Sequence, residues 1–284
     1  MSKLAGILPL PSLECESASH ILSEILRLEI TRTGIEKAVI GLSGGIDSAL
    51  SLFLAVKALG PANVTAIFMP YKSSVDSSRV HSEAAARTAG VELLTREITP
   101  MADPYFESLP GIDRMRRGNV LARLRMILLY DLSAERRALV VGTSNKTEML
   151  LGYSTLWGDM ASAVNPIGDL YKFQVRELSA YLGVPPEIID KAPSADLWEG
   201  QTDEEELDIS YDLADRILYY WADCGWKENR LARALEEAGL GQEPLERVLR
   251  MVRNSQFKRK MPLIAKVSRR TVDREFRYPR DWGL

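Results

Sequence analysis

The sequence predicts a doubly wound α/β fold, a parallel sheet flanked by helices, followed by a mainly helical C-terminal part. Short β-branched and aliphatic runs alternate with helical periodicities as far as "RALVVGTS", and strands alternating with helices imply βαβ crossovers. After that run only helical patterns recur. A chain of 284 residues, 46% hydrophobic and 26% charged, has the length and composition of one domain with an ample core.

The spacing of Leu22, Ile25, Leu26 and Leu28 predicts an amphipathic first helix over roughly Ser12 to Thr33. "KAVIGLS" reads as a strand, followed by a helix from Asp47. "NVTAIFMP" precedes a helix from Asp76, "VELLTREI" precedes one over about Asn119 to Leu132, and "RALVVGTS" is the last strand. Helices are then expected over Tyr171–Leu182, Asp203–Trp221, Glu228–Ala238 and Pro244–Arg253. Thr202 and Glu205 have the form of a capping box, so the acidic run "DEEELD" reads first as the solvated start of a helix. Residues 1–35 are expected to form the N-terminal helix, 36–200 the α/β core and 201–284 the helical part and basic tail. The stretches "GYSTLWGDMASAVNPIGD" and "KAPSADLWEGQTDEEE" are long for connectors and are candidate substrate loops.

Several classes are disfavoured. No apolar run reaches the length of a membrane span, and no export signal is legible, so a cytoplasmic protein is expected. A net charge of −3 argues against broad nucleic-acid binding. Cys15 and Cys224 are far apart and outside any CxxC, and His20 and His81 are isolated. Zinc, redox and Ser/His/Asp chemistry therefore have little support.

The segment "AVIGLSGGIDSALSLF" passes from strand through a glycine turn into a helix, which aims backbone N–H groups and a positive helix end at one point. An anion is the natural guest. Gly41, Gly44 and Gly45 allow close approach, and Ser43 and Ser48 add hydroxyls. The turn lacks the Lys of GxxxxGK[ST] and carries Asp47 instead. A carboxylate beside phosphates calls for a cation between them, and Mg²⁺ characteristically takes one or two carboxylates plus phosphate oxygens. The structural alternative for Asp47 is a favourable charge in a helix's first turn.

"SGGIDS" resembles the SGGxDS signature of the PP-loop ATP pyrophosphatases, which cleave ATP to AMP and pyrophosphate. Four further stretches and a late "FKRKMP" are similar to NAD synthetases. These are "RGNVLARLRM", "GTSNKTEMLLGYSTLWGDM", "PIGDLYKFQVRELSAYLGVP" and "PSADLWEGQTDEEELDISYDLAD", and they extend the resemblance over nearly the whole chain. It implies an adenine-nucleotide α-hydrolase-like fold. It also implies a ligase that adenylates the nicotinate carboxylate of deamido-NAD with ATP, releases pyrophosphate, and lets ammonia displace AMP to give NAD.

By the same resemblance, Gly41, Leu42, Ser43, Gly44, Gly45, Ile46, Asp47 and Ser48 hold the ATP phosphates, and Thr143, Lys172 and Ser194 contact ATP. Asp47 and Glu148 are the Mg²⁺ carboxylates; without the resemblance, Glu148 reads as the capping-box partner of Asn145. Asn119, Arg123 and Lys258 are deamido-NAD contacts, and Asp159 sits at the ammonia site, where a carboxylate could hold ammonium and accept a proton. A homodimer is implied. Ammonia-only bacterial enzymes commonly carry Lys, Asp and His where this chain has Leu156, Ala163 and Phe257. Here "TLWGDMA" and the tail read closer to the synthetase domain of glutamine-dependent enzymes. Their amidase domain is not expected, so the nitrogen donor is free ammonia or ammonia from a separate glutaminase subunit. The alternatives are a PP-loop amidoligase or tRNA-modifying enzyme with another acceptor, and a non-catalytic adenylate-binding protein.

Overall fold

The computed structural model describes residues 2–191, 203–260, 262–272 and 275–276. Its sheet is parallel, in the order β3-β2-β1-β4, from β1 (Lys37–Gly41), β2 (Val64–Phe68), β3 (Glu92–Thr95) and β4 (Ala138–Val141). In register, Ala38 lies opposite Val64 on one side and Leu139 on the other. Helices cover both faces, so the central strands are apolar throughout rather than alternating. Ala163 N–H donates to Val140 O at 2.9 Å, and Val164 bridges Val141 in parallel, prolonging the sheet beyond β4.

The N-terminal segment forms two helices, α1 (Ser2–Ile7) and α2 (Cys15–Thr31), rather than one. Then follow α3 (Ile46–Leu59), α4 (Asp76–Ala89), α5 (Thr99–Glu107) and α6 (Arg114–Arg136). α6 starts five residues earlier than its apolar spacing indicated, because the Asp113 carboxylate accepts the Arg116 N–H at 2.8 Å and caps it. α3 is buried at Ala49, Leu50, Leu52 and Leu54 between the sheet, α2 and α8 (Lys172–Leu182). Each buried leucine there contributes roughly 1.5–3 kcal/mol. The opposite face packs Val39, Ile67 and Val140 under Phe106 of α5 and Leu121 and Leu132 of α6.

A second core lies beyond the sheet. It joins α7 (Lys146–Leu151) to α10 (Asp203–Leu207), α11 (Tyr211–Leu218), α12 (Glu228–Glu237) and α13 (Glu243–Asn254), with α9 (Pro186–Ile189) remaining on the sheet core. Leu4 and Leu8 from the N-terminus complete this second core. The helix expected over Asp203–Trp221 is broken. Asp208 adopts a left-handed φ of 50°, and the Ser210 hydroxyl accepts the Leu213 N–H at 3.3 Å to start α11 afresh. Thr202, half of the expected capping box, lies outside the described residues. Among the described residues no helix is long and apolar enough to cross a membrane.

Candidate active site

The strand order reverses between β1 and β4, and open α/β sheets bind ligands at the carboxyl ends flanking such a reversal. A cavity of about 260 Å³ lies there. The turn after β1 forms one wall: Gly41, Leu42, Ser43, Gly45, Ile46, Asp47 and Ser48 line it, and Thr143 after β4 lines the other side. Gly44 lies behind this wall. Its φ is 79°, and a Cβ there would meet Ser78 O at 2.3 Å, so only glycine lets the turn rest on α4. The Ser48 hydroxyl ties the turn together, accepting the Ser43 N–H at 3.2 Å and donating to Gly45 O at 2.9 Å.

Asp47, Glu148 and Lys172 converge from three helices on one point. Lys172 Nζ donates to Asp47 Oδ2 at 2.5 Å and to Glu148 Oε1 at 3.3 Å; the lysine side chain is 2% exposed, and the carboxylates 17% and 15%. Burial alone would lower the Lys172 ammonium, but the two carboxylates outweigh it and hold its pKa above the ordinary value. Burial, and next the Asp47 charge, push Glu148 well above the usual carboxylate range despite Lys172.

The capping box is also real. Asn145 Oδ1 accepts the Glu148 N–H at 2.9 Å, and Glu148 Oε2 accepts the Asn145 N–H at 3.2 Å. Glu148 therefore caps α7 with one oxygen and faces Lys172 with the other. Asn145 Nδ2 donates to Asp47 Oδ1 at 2.8 Å, linking both carboxylates. Two carboxylates sharing one ammonium are close enough to share one Mg²⁺, whose remaining ligands would be phosphate oxygens and water. Among the described residues no group of three His, Cys, Asp or Glu side chains could hold a metal by itself.

Asn119, Arg123, Lys258 and Asp159 are brought together as well, on the loop after α7. The Thr155 hydroxyl donates to Asn119 Oδ1 at 2.7 Å, and the Thr155 N–H to Asp159 Oδ1 at 2.6 Å. Arg123 donates to Leu156 O at 3.1 Å, and Lys258 Nζ donates to Gly152 O at 2.8 Å and Ser154 O at 2.7 Å. Asp159 lines the cavity; the other three hold the loop from outside its lining. Burial pulls the Lys258 pKa below its ordinary value, with Asp159 opposing and Arg123 reinforcing. Ser194 lies outside the described residues, with most of its candidate substrate loop. Leu156 offers its carbonyl to Arg123, Ala163 joins the sheet extension, and Phe257 is exposed.

Asp203 went unnoticed as a site residue because "DEEELD" has the composition of a solvated helix start. It is buried instead, lines the cavity, and accepts from Tyr153 Oη at 3.0 Å and Tyr211 Oη at 3.1 Å. Lys172 Nζ lies 4.9 Å from the centre of the Tyr211 ring. Tyr211 carried no sequence signal beyond core periodicity.

The NAD synthase family model matches residues 19–262. The chain belongs to the NAD synthase family. The NH(3)-dependent NAD(+) synthetase of Trichlorobacter lovleyi is 54% identical over 93% of this chain and 95% of its own length. Among solved structures, the NMN synthetase from Francisella tularensis superposes with a TM-score of 0.78 at 34% identity, covering 89% of this chain and 99% of that one. The NH3-dependent NAD synthetase from Campylobacter jejuni, in complex with the nitrate ion, gives 0.75 at 30% identity, covering 90% of this chain and 100% of that one.

Proposed function

We propose that this NAD synthase family member is a carbon–nitrogen ligase that amidates deamido-NAD to NAD at the expense of ATP, with ammonia as nitrogen donor. The observation that carries the reading is the Asp47–Lys172–Glu148 cluster beside the glycine turn. An anion site whose first helical turn carries a carboxylate in place of a phosphate-binding lysine suits a metal-bridged pyrophosphate leaving group.

In this reading the turn from Gly41 to Ser48 cradles the phosphates, with Thr143, Lys172 and Ser194 as further ATP contacts. Asp47 and Glu148 would hold Mg²⁺, and the ion would supply positive charge against the pyrophosphate oxygens. Lys172 donates to both carboxylates and offsets their charge in a partly dry site. A carboxylate oxygen of deamido-NAD attacks the α-phosphorus, and the bond to pyrophosphate breaks. Ammonia then attacks the acyl carbon, and AMP leaves with the former carboxylate oxygen. Asp159 holds ammonium and takes its proton, while Asn119, Arg123 and Lys258 shape the acceptor loop.

The enzyme is proposed to act in the cytoplasm as a homodimer. Exposed Ile127 and Tyr130 on α6, the helix that carries Asn119 and Arg123, support a partner face close to the acceptor loop. Free ammonia, or ammonia from a separate glutaminase subunit, supplies nitrogen. The likeness to an NMN synthetase favours one second reading, amidation of nicotinate mononucleotide. The test is release of AMP and pyrophosphate with ATP, Mg²⁺ and ammonium, and deamido-NAD, nicotinate mononucleotide or xanthylate in turn. Turnover is expected only in the complete mixture and fastest with deamido-NAD. Faster turnover with the mononucleotide selects the second reading, and no amidation of any acceptor ends both.

A further inference from the structure

Lys172 opens α8, and the first N–H groups of a helix have no partner within it. In α8 those partners come from other helices. The Lys172 N–H donates to Thr147 Oγ1 at 3.1 Å, and the Phe173 N–H donates to Asp215 Oδ2 at 2.8 Å. The Thr147 hydroxyl donates in turn to Asp215 Oδ1 at 2.5 Å. Thr147 is 0% and Asp215 1% exposed. One buried carboxylate on α11 thus closes a ring through α7 onto the two backbone positions that set where the Lys172 side chain starts.

At the far end of that side chain, α11 acts again. Tyr211 precedes Asp215 by four residues and so shares its helix face; its ring lies against the Lys172 ammonium, and its hydroxyl donates to Asp203. Lysine's flexible stem specifies little by itself, so the start of α8 sets where the ammonium meets Asp47 and Glu148. A charge this deep is costly unless its oxygens are occupied. Asp215 has both oxygens occupied, by a hydroxyl and a backbone N–H.

We infer that Asp215 is a positioning residue for the active site: acting through Thr147 and the first turn of α8, it holds Lys172 between Asp47 and Glu148. Asp215 is not among the residues that line the cavity. The inference rests on the proposed amidation, in which Lys172 serves the adenylation step.

The test compares Asp215→Asn, Thr147→Val and Thr147→Ser with the unaltered full chain. Two quantities are measured: steady-state amidation, and the rate at which Lys172 is reductively methylated relative to Lys57, read by peptide mass spectrometry. Asp215→Asn keeps the shape but presents an amide donor to one of two donors. It is expected to lower kcat roughly 10- to 100-fold while leaving KM for deamido-NAD within about twofold, the range typical of lost outer-shell support. Lys172 should be methylated faster while Lys57 is unchanged. Thr147→Val should reproduce both effects, and Thr147→Ser, which keeps the hydroxyl, should restore most of the rate.

A purely structural role would lower thermal stability with kcat and Lys172 methylation unchanged, and that result overturns the inference. So does a slowed Asp215→Asn enzyme whose Lys172 is methylated at the original rate. If Asp215→Asn does not fold, Thr147→Val decides on the same readouts. If the unaltered chain makes no AMP, the proposed amidation fails, while the methylation comparison still judges whether Asp215 places Lys172.

Discussion

The two sides of the cavity are built on opposite plans. On the proposed phosphate side the charged groups bind one another: Lys172 spans Asp47 and Glu148, and Asn145 links the two carboxylates. On the proposed acceptor side the charged and polar groups bind backbone and loop: Arg123 takes Leu156 O, Lys258 takes Gly152 O and Ser154 O, and Asp159 takes the Thr155 N–H. The first plan stores charge where a metal and phosphates would redistribute it. The second fixes the shape of a loop, and a ligand would find that shape already made.

The largest effect should come from breaking the first plan. Asp47→Asn is expected to cut AMP release by roughly 10³-fold or more, the loss of a group that stabilises developing charge. Circular dichroism should show the chain still folded. Lys172→Met should act on stability as well, because it leaves two carboxylates facing each other without their cation. A loss of about 3–5 kcal/mol is expected in denaturant unfolding without metal. Mg²⁺ should then raise the melting temperature of this variant more than that of the unaltered chain. Equal Mg²⁺ responses would mean that Asp47 and Glu148 do not share a metal.

Breaking the second plan should have a different kinetic signature. Lys258→Met removes the tie to Gly152 O and Ser154 O. It should raise KM for the acceptor roughly tenfold, with KM for ATP nearly unchanged. A matching rise in both would show that the loop serves the two substrates alike and that the sides are not separate.

The last effect is on stability alone and concerns the support beneath the phosphate side. Burial pushes Asp215 up to about 6, above the unfolded carboxylate value. The fold therefore favours its neutral form; that contribution is complete below about pH 4 and is lost as pH rises through 6. Asp215→Asn lacks it. The stability gap between the unaltered chain and this variant should narrow from pH 4 to pH 7 by about 2 kcal/mol. A gap independent of pH would contradict the raised value.

The sheet half of the molecule was legible because its signals are local. Strand runs, the turn at Gly44 and Gly45, and the missing lysine at Asp47 all lie within short stretches. Lys172 and Glu148 were legible only through motif resemblance. Spacing alone gave Glu148 a capping role, and the cap exists beside its second role.

The helical half was harder to read, for physical reasons. Asp203 and Asp215 look like surface carboxylates, since burial is decided by tertiary partners such as Tyr153, Tyr211, Thr147 and the α8 backbone. The break at Asp208 needs a left-handed residue that composition does not announce. The family resemblance groups Asn119, Arg123 and Lys258 around an acceptor. They do converge, but a sequence position cannot say that their polar atoms are aimed at a loop.

The separation of a phosphate side from an acceptor side makes one demand that isotopes can answer. Deamido-NAD carrying ¹⁸O in its nicotinate carboxylate is converted with ATP, Mg²⁺ and ammonium, and the products are weighed by mass spectrometry. Attack on the α-phosphorus at the Asp47–Glu148 edge predicts one ¹⁸O atom in AMP and none in pyrophosphate. Label appearing in inorganic phosphate, with ADP as the nucleotide product, would place the attack at the γ-phosphorus and contradict the reading of this turn as a pyrophosphate site.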